Sequence, residues 1–260
     1  MTEPKHKKVF FVSDFHLGAD ALLCTEAREK KIVSWLSEIE DELGELYLVG
    51  DVFDFWFEYG KVIPKGFSRI LGKLAALRDK GIPVYFFTGN HDMWMFRYFE
   101  DELGIPIIRK PIIKEIFGKT FYIGHGDGLG PGDKGYKIIK TIFSNPVCQW
   151  LFSLLHPDAG IGLMKYFSSK SRKYTGDEAP FVDPSKEWLV QYCENYEAKD
   201  NIDYFIFGHR HLPVDYKLSN GVSRYVNLGE WLYVCSYGVW DGKEFHVKFY
   251  KSEHTKIYGM

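Results

Sequence analysis

Short apolar runs alternate with amphipathic stretches along this chain. Five runs repeat one design: "KVFFVSDFH", "ELYLVGDVFD", "PVYFFTGNHD", "TFYIGHGD" and "DYFIFGHRH" each hold a few consecutive apolar residues, then break into glycine and polar side chains. Unbroken apolar runs of this length predict strands buried on both faces. Between them, residues 25–40 place Ile32, Trp35, Leu36 and Ile39 on one helical face, with Thr25 as the N-cap. Residues 66–80 repeat the spacing through Phe67, Ile70, Leu71, Leu74 and Leu77; Gly81 stops that helix and Pro83 precedes the next strand. Strand–helix–strand order predicts an α/β sheet with crossovers. Residues 222–250 alternate in short runs and predict antiparallel strands closing the sheet, with "KSEHTKIYGM" as a frayed end.

The pattern changes over residues 128–180. A glycine-rich turn leads into "KGYKIIKTIF", then "NPVCQWLFSLLHP" reads as a short apolar helix opened by Pro146 and closed near Pro157. This predicts a helical insertion within a single domain spanning 1–260. A hydrophobic share of 45% supports one sizeable core. Net charge is −2, so no global basic field points to nucleic acid. The cysteines, Cys24, Cys148, Cys193 and Cys235, form no C-x-x-C pair, which predicts reduced thiols and a cytoplasmic setting. The N-terminal apolar run, Val9–Val12, is too short for a signal peptide, and no stretch approaches the ~20 apolar residues that span a bilayer.

Chemistry concentrates at the five strand ends, where open α/β sheets gather functional groups. Turn geometry explains the glycines. It does not call for four histidines, an asparagine and two aspartates at five separate positions. Imidazole with carboxylate and amide oxygen suits borderline divalent ions, Mn²⁺, Zn²⁺ or Fe²⁺, and the lack of thiolates argues against a structural zinc site. Two such ions with a shared carboxylate stabilise both attacking and leaving oxygens.

Asp14-x-His16, Gly50-Asp51, Gly89-Asn90-His91-Asp92, Gly124-His125 and Gly208-His209-x-His211 together resemble the signature of the calcineurin-like metallophosphoesterases, complete and in order. The resemblance implies a two-sheet β-sandwich flanked by helices. It implies one ion held by Asp14, His16 and His211, another by Asn90, His125 and His209, and Asp51 bridging both. His91 would stabilise phosphoryl charge or protonate the leaving group, Asp92 would orient His91, and Asp54 would support a ligand from behind.

The stretches "SDFHLG", "GDVFDFW" and "GHGDGLGPGDKGY", with the insertion, are similar to the branch that cleaves the diphosphate of UDP-2,3-diacylglucosamine in lipid A biosynthesis. That likeness implies a helical lid over the acyl chains and substrate contacts from Asp133, Tyr136, Ser169, Arg172 and Lys173. Trp150, Leu151, Phe152, Leu154, Leu155, Leu163, Met164 and Phe167 suit an apolar chamber. Lys134, Lys137, Lys140, Lys165, Lys170, Arg172 and Lys173 make the insertion locally basic, which suits a diphosphate or an anionic membrane surface touched from the cytoplasmic side. The branch carries Arg where this chain has His91. Two rival readings remain on sequence grounds: a metallophosphoesterase of nucleotides or phosphoproteins, and a non-enzymatic interaction protein on the same fold. Intact ligands speak against the latter.

Overall fold

The structure is a computed structural model describing residues 7–19, 21–129, 134–175, 181–197 and 200–260, with backbone alone at 134–136, 138–139, 165, 169–175 and 197. The chain opens with β1 (Lys8–Val12), α1 (Thr25–Ile39), β2 (Leu43–Val49), α2 (Ser68–Asp79), β3 (Val84–Phe87), α3 (Tyr98–Leu103) and β4 (Ile107–Ile108). A hairpin of β5 (Ile112–Ile116) and β6 (Lys119–Ile123) follows. Three helices come next, α4 (Lys134–Phe143), α5 (Pro146–Ser153) and α6 (Pro157–Thr175), and then α7 (Trp188–Glu197). The chain ends with β7 (Tyr204–Phe207), β8 (Pro213–Lys217), β9 (Arg224–Leu228), β10 (Ser236–Trp240) and β11 (Phe245–Phe249).

Two mixed sheets result. One has the order β11-β10-β1-β2-β3-β4, parallel from β1 to β4; the other has the order β5-β6-β7-β9-β8. The apolar runs explain the layering. In β1, Val9 and Phe11 face the space between the sheets, while Phe10 and Val12 pack toward Ile32, Trp35 and Leu36 of α1 and Ile70 and Leu74 of α2. In β7, Tyr204 and Ile206 face the first sheet, and Phe205 and Phe207 meet Leu189 and Cys193 of α7. A strand between a sheet and a helix layer has no solvent face, so the alternation of an amphipathic strand disappears.

Four expectations change. Thr25 is the first helical residue, not the cap, because its Oγ1 accepts from Gly18 N at 3.1 Å. Pro157 does not close α5 but opens α6, where its missing N–H costs nothing. Residues 222–250 do not close one sheet: β9 pairs parallel with β7 in the second, while β10 and β11 extend the first beside β1. The tail is not frayed. Asp215 N donates to Tyr258 O and Tyr258 N to Pro213 O, both at 2.9 Å, so the tail covers the edge of β8.

Helices α4, α5 and α6 belong to neither sheet. Phe143 of α4, Phe152 of α5, and Ile161 and Met164 of α6 pack on Phe55, Phe57 and Trp94. Trp94 Nε1 donates to Phe143 O at 2.7 Å. These contacts seat the helices beside the strand ends that carry the polar motifs.

Candidate metal centre

Parallel strands deliver their C-terminal loops to one edge, and there the loops bind one another. Asp14 N donates to Gly50 O, His16 N to Asp51 O and Leu17 N to Val52 O, each at 3.0 Å. Gly208 N donates to His125 O at 3.0 Å within the second sheet's loops, and His209 N donates to Asp14 Oδ2 at 3.0 Å, joining them to the first sheet's loops. Two glycines permit the close approach. A Cβ on Gly89 would strike Asp51 Oδ1, and one on Gly208 would strike Asp14 Oδ2. The turns are sharp enough that Asp14, His16, Asp51, His209 and His211 all adopt positive φ, between 44° and 68°. Non-glycine residues hold that conformation at a cost of order 1–3 kcal/mol each, and such strain concentrates at functional sites.

The side chains then converge. Asp14 Oδ1 lies 3.1 Å from His211 Nε2 and 3.5 Å from His16 Nε2, and the two imidazoles approach to 3.1 Å. A second group sits beside it: His125 Nε2 is 3.2 Å from both Asp51 Oδ2 and Asn90 Oδ1, and His209 Nδ1 is 2.9 Å from Asn90 Oδ1. Asp51 Oδ2 is also 3.8 Å from His16 Nε2, between the two groups. Ligand atoms of Asp14, His16 and His211, and those of Asp51, His125 and His209, lie within 4.8 Å of one another; so do those of His16, Asp51 and His91. Asp14, His16, Asp51 and His125 are buried, at 3% exposure or less, while Asn90, His209 and His211 are half-buried at the mouth of the cluster.

Contacts behind these atoms hold them in place. His125 Nδ1 donates to Val49 O at 2.8 Å, which leaves Nε2 as the bare nitrogen of the neutral ring. Asp51 Oδ1 accepts from His91 N at 2.8 Å, leaving Oδ2 to the cluster, and Asp14 Oδ2 accepts from His209 N at 3.0 Å. Arg210, between the two histidines, grips Glu187 with two bonds of 3.0 Å. Glu230 accepts from the backbone of Leu232, Tyr233 and Val234, and this turn supports Trp231, whose N donates to Asp14 O.

The cluster demands positive charge. Burial works against ionisation of Asp14, yet His16 and His211 hold its carboxyl well below the ordinary carboxylate range. Asp51 is likewise lowered despite burial, by His125 and His91. Burial opposes charge on His16 too, but Asp14 and Asp54 raise it to about 10, and Asp51 raises His125 well above its ordinary value. His209, buried and beside His125, falls to about 4. Asp14 Oδ1 and His16 Nδ1 are buried without a well-formed hydrogen bond. Orphaned donor atoms, anionic demand and a nitrogen–oxygen set without thiolate fit a pair of divalent cations.

One expected role is corrected. Asp92 does not touch the His91 ring. Its carboxylate accepts from Gly89 N at 2.7 Å, Val52 N at 2.9 Å and Phe53 N at 3.4 Å, tying together the loops that carry Asp51 and Asn90. Burial and the Asp51 charge push it up to about 7. Asp54 stands beside His91 instead: its carbonyl accepts from His91 Nδ1 at 3.0 Å, and its Oδ1 lies 3.6 Å from His91 Nδ1 and 3.6 Å from His16 Nδ1. Sequence reading missed Glu230, Glu187 and Ser168, which carry no motif. Asp133 lies outside the described residues, as do the side chains of Tyr136, Ser169, Arg172 and Lys173.

Comparison with known proteins agrees with this architecture. A curated protein of Porphyromonas gingivalis named UDP-2,3-diacylglucosamine hydrolase is 38% identical over 251 residues, covering 90% of this chain and 94% of its own. A Shewanella sp. protein of the same name is 29% identical, covering 86% and 89%. The solved structure of a hypothetical protein from Pyrococcus horikoshii shares the fold, with a TM-score of 0.51 at 12% identity, covering 96% of this chain and 89% of that one. A family model described as calcineurin-like phosphoesterase matches residues 7–213, the span from β1 through the last histidine of the cluster, and this chain belongs to that family.

Proposed function

We propose that this chain hydrolyses the diphosphate of UDP-2,3-diacylglucosamine to UMP and 2,3-diacylglucosamine 1-phosphate. The reading is carried by its near full-length likeness to the Porphyromonas gingivalis hydrolase, together with a phosphoesterase centre that retains every ligand type. Asp14, His16 and His211 would hold one divalent ion, and Asn90, His125 and His209 the other, with Asp51 shared; Mn²⁺ suits this set, with Zn²⁺ or Fe²⁺ as alternatives. When bound, such ions polarise a phosphoryl group and activate water for in-line attack.

The chain's own groups do the rest. Val49 O and Asp54 lie against Nδ1 of His125 and His16, which turns their Nε2 atoms toward the carboxylates of the cluster that would hold the ions. His91 donates Nδ1–H to Asp54 O, which aims its Nε2 edge outward. Burial pushes His91 below its ordinary value, and the negative charge of a diphosphate beside it would raise it again. Protonated, its Nε2–H donates to a phosphoryl oxygen or to the leaving group.

Residues 128–180 serve as the lid of one continuous domain, and Asp133, Tyr136, Ser169, Arg172 and Lys173 as its polar contacts to substrate. An apolar surface supports this. Val147, Trp150, Leu151, Leu154, Leu155, Leu163, Tyr166 and Phe167 are each at least 40% exposed, more clustered apolar area than a monomer's surface ordinarily carries. Phe152 and Met164 belong instead to the anchor on Phe57 and Trp94. Acyl chains, or the cytoplasmic face of a membrane touched peripherally, would cover that surface. No helix among the described residues is long and apolar enough to cross a bilayer.

The test is incubation with UDP-2,3-diacylglucosamine and an unacylated UDP-sugar, with products identified by mass. UMP and the acylated sugar phosphate are expected from the first alone. Equal turnover of both would replace the lipid with a general nucleotide diphosphate.

A further inference from the structure

Ser168 lies on α6, 114 residues from Asp54 in sequence, and its side chain is buried against the metal centre. Its hydroxyl lies 3.0 Å from Asp54 Oδ1 and 3.1 Å from Oδ2, a forked approach to one carboxylate, and 3.4 Å from His91 Nδ1. The main chain of Asp54 is already fixed: its N–H donates to Leu17 O at 2.9 Å and its carbonyl takes the His91 ring. What that leaves open is the rotation of the carboxylate. That group faces Nδ1 of His16 and Nδ1 of His91, each at 3.6 Å.

We propose that Ser168 is a positioning residue: it pins α6 to Asp54 and, through that carboxylate, sets the orientation of His16 and His91. The inference rests on the metal-centre reading but not on the identity of the lipid. A carboxylate behind a ligating imidazole fixes the ring and its tautomer, and losing such a partner weakens a site tenfold or more. Here the carboxylate is itself held by a helix that belongs to neither sheet. Leu163, Tyr166 and Phe167 of the same helix are exposed, so a ligand on that outer face would bear on the helix that holds Ser168 against Asp54.

The decisive experiment uses a small aryl phosphodiester, which reads the centre without requiring an acyl chain. Ser168→Ala should lower kcat by about tenfold, the loss of one hydrogen bond to a charged group, with KM changed less than about twofold. Ser168→Thr, which keeps the hydroxyl, should recover most of that loss. In an Asp54→Ala background, Ser168→Ala should have no further effect, because the group it orients is gone. An unchanged kcat in Ser168→Ala, or the same tenfold cost with and without Asp54, overturns the proposal. Weaker metal binding in Ser168→Ala that Ser168→Thr restores is expected through His16; a fall in melting temperature large enough to account for the lost rate overturns the proposal, since that makes Ser168 a merely structural residue. Failure of the lipid substrate with intact diester hydrolysis would sink the substrate reading and leave this one standing.

Discussion

The loops at the strand ends and the α4–α6 segment lie side by side and are built in opposite ways. In the loops, four of the seven proposed ligands are buried, five are strained into left-handed turns, and glycines that accept no side chain pack against Asp14, Asp51 and His125. In α5 and α6, Phe152, Ile161 and Met164 anchor to Phe55, Phe57 and Trp94, and many apolar side chains face outward. The first region is over-determined, as chemistry at fixed geometry requires. The second leaves apolar surface unburied, which suits the proposed contact with acyl chains. Substitutions should therefore separate cleanly by region.

The largest effect belongs to the shared carboxylate. Asp51→Ala should remove the bridge and lower activity on every phosphoester by about a thousandfold or more, several kcal/mol of lost stabilisation. Retention of activity and of two bound ions per chain would break the assignment. Metal affinity should depend steeply on pH. The carboxylates raise the folded value of His16 to about 10, so protons compete with the cation throughout the neutral range. Ligation needs the neutral ring, so affinity rises with pH, by roughly tenfold per unit for each proton displaced. Titration calorimetry in buffers of differing ionisation enthalpy should show proton release on binding; none would mean that His16 is not a ligand.

The helical segment predicts smaller, selective changes. Leu151→Ala and Leu155→Ala should raise KM for the acylated substrate by about tenfold, the worth of one buried leucine in a lipid contact, and change small-diester hydrolysis less than twofold. Equal losses on both substrates would erase the contrast between the regions. Phe152→Ala is the internal control, because its ring lies 4.8 Å from Phe57 and 4.7 Å from Trp94; it should loosen the whole segment and affect both substrates. The smallest effect is at the chain end. Deleting residues 255–260 removes the two bonds across the β8 edge and the packing of Ile257 and Tyr258, and should cost about 1–3 kcal/mol in denaturant unfolding with activity retained.

The residues that chemistry needs could be read directly because each sits in a motif whose spacing is local. Asp14 and His16, or His209 and His211, stand two apart on a turn, and the glycines beside them mark where backbones meet. Fully apolar runs likewise announced strands covered on both sides. Missed elements were short or amphipathic: Ile107–Ile108 has two residues, and Ile112–Ile116 alternates with Lys114 and Glu115, so neither stands out as a run. Asp92 was misassigned because nearness in sequence suggested contact with His91, whereas the turn sends its carboxylate back to Val52 and Gly89.

From residue order alone came the strand runs, the set of donor atoms and the place where the pattern breaks. Local patterning carries these, since burial, turn geometry and donor chemistry act on neighbours along the chain. Only the tertiary structure decided that β9 stays with β8 and β7 in the second sheet while β10 and β11 cross to the first, that the tail seals an edge, and that Ser168 reaches Asp54. Those outcomes depend on which surfaces meet across separations that run from the 20 residues between Tyr204 and Arg224 to the 114 between Asp54 and Ser168, and no short-range preference encodes a meeting that packing alone selects.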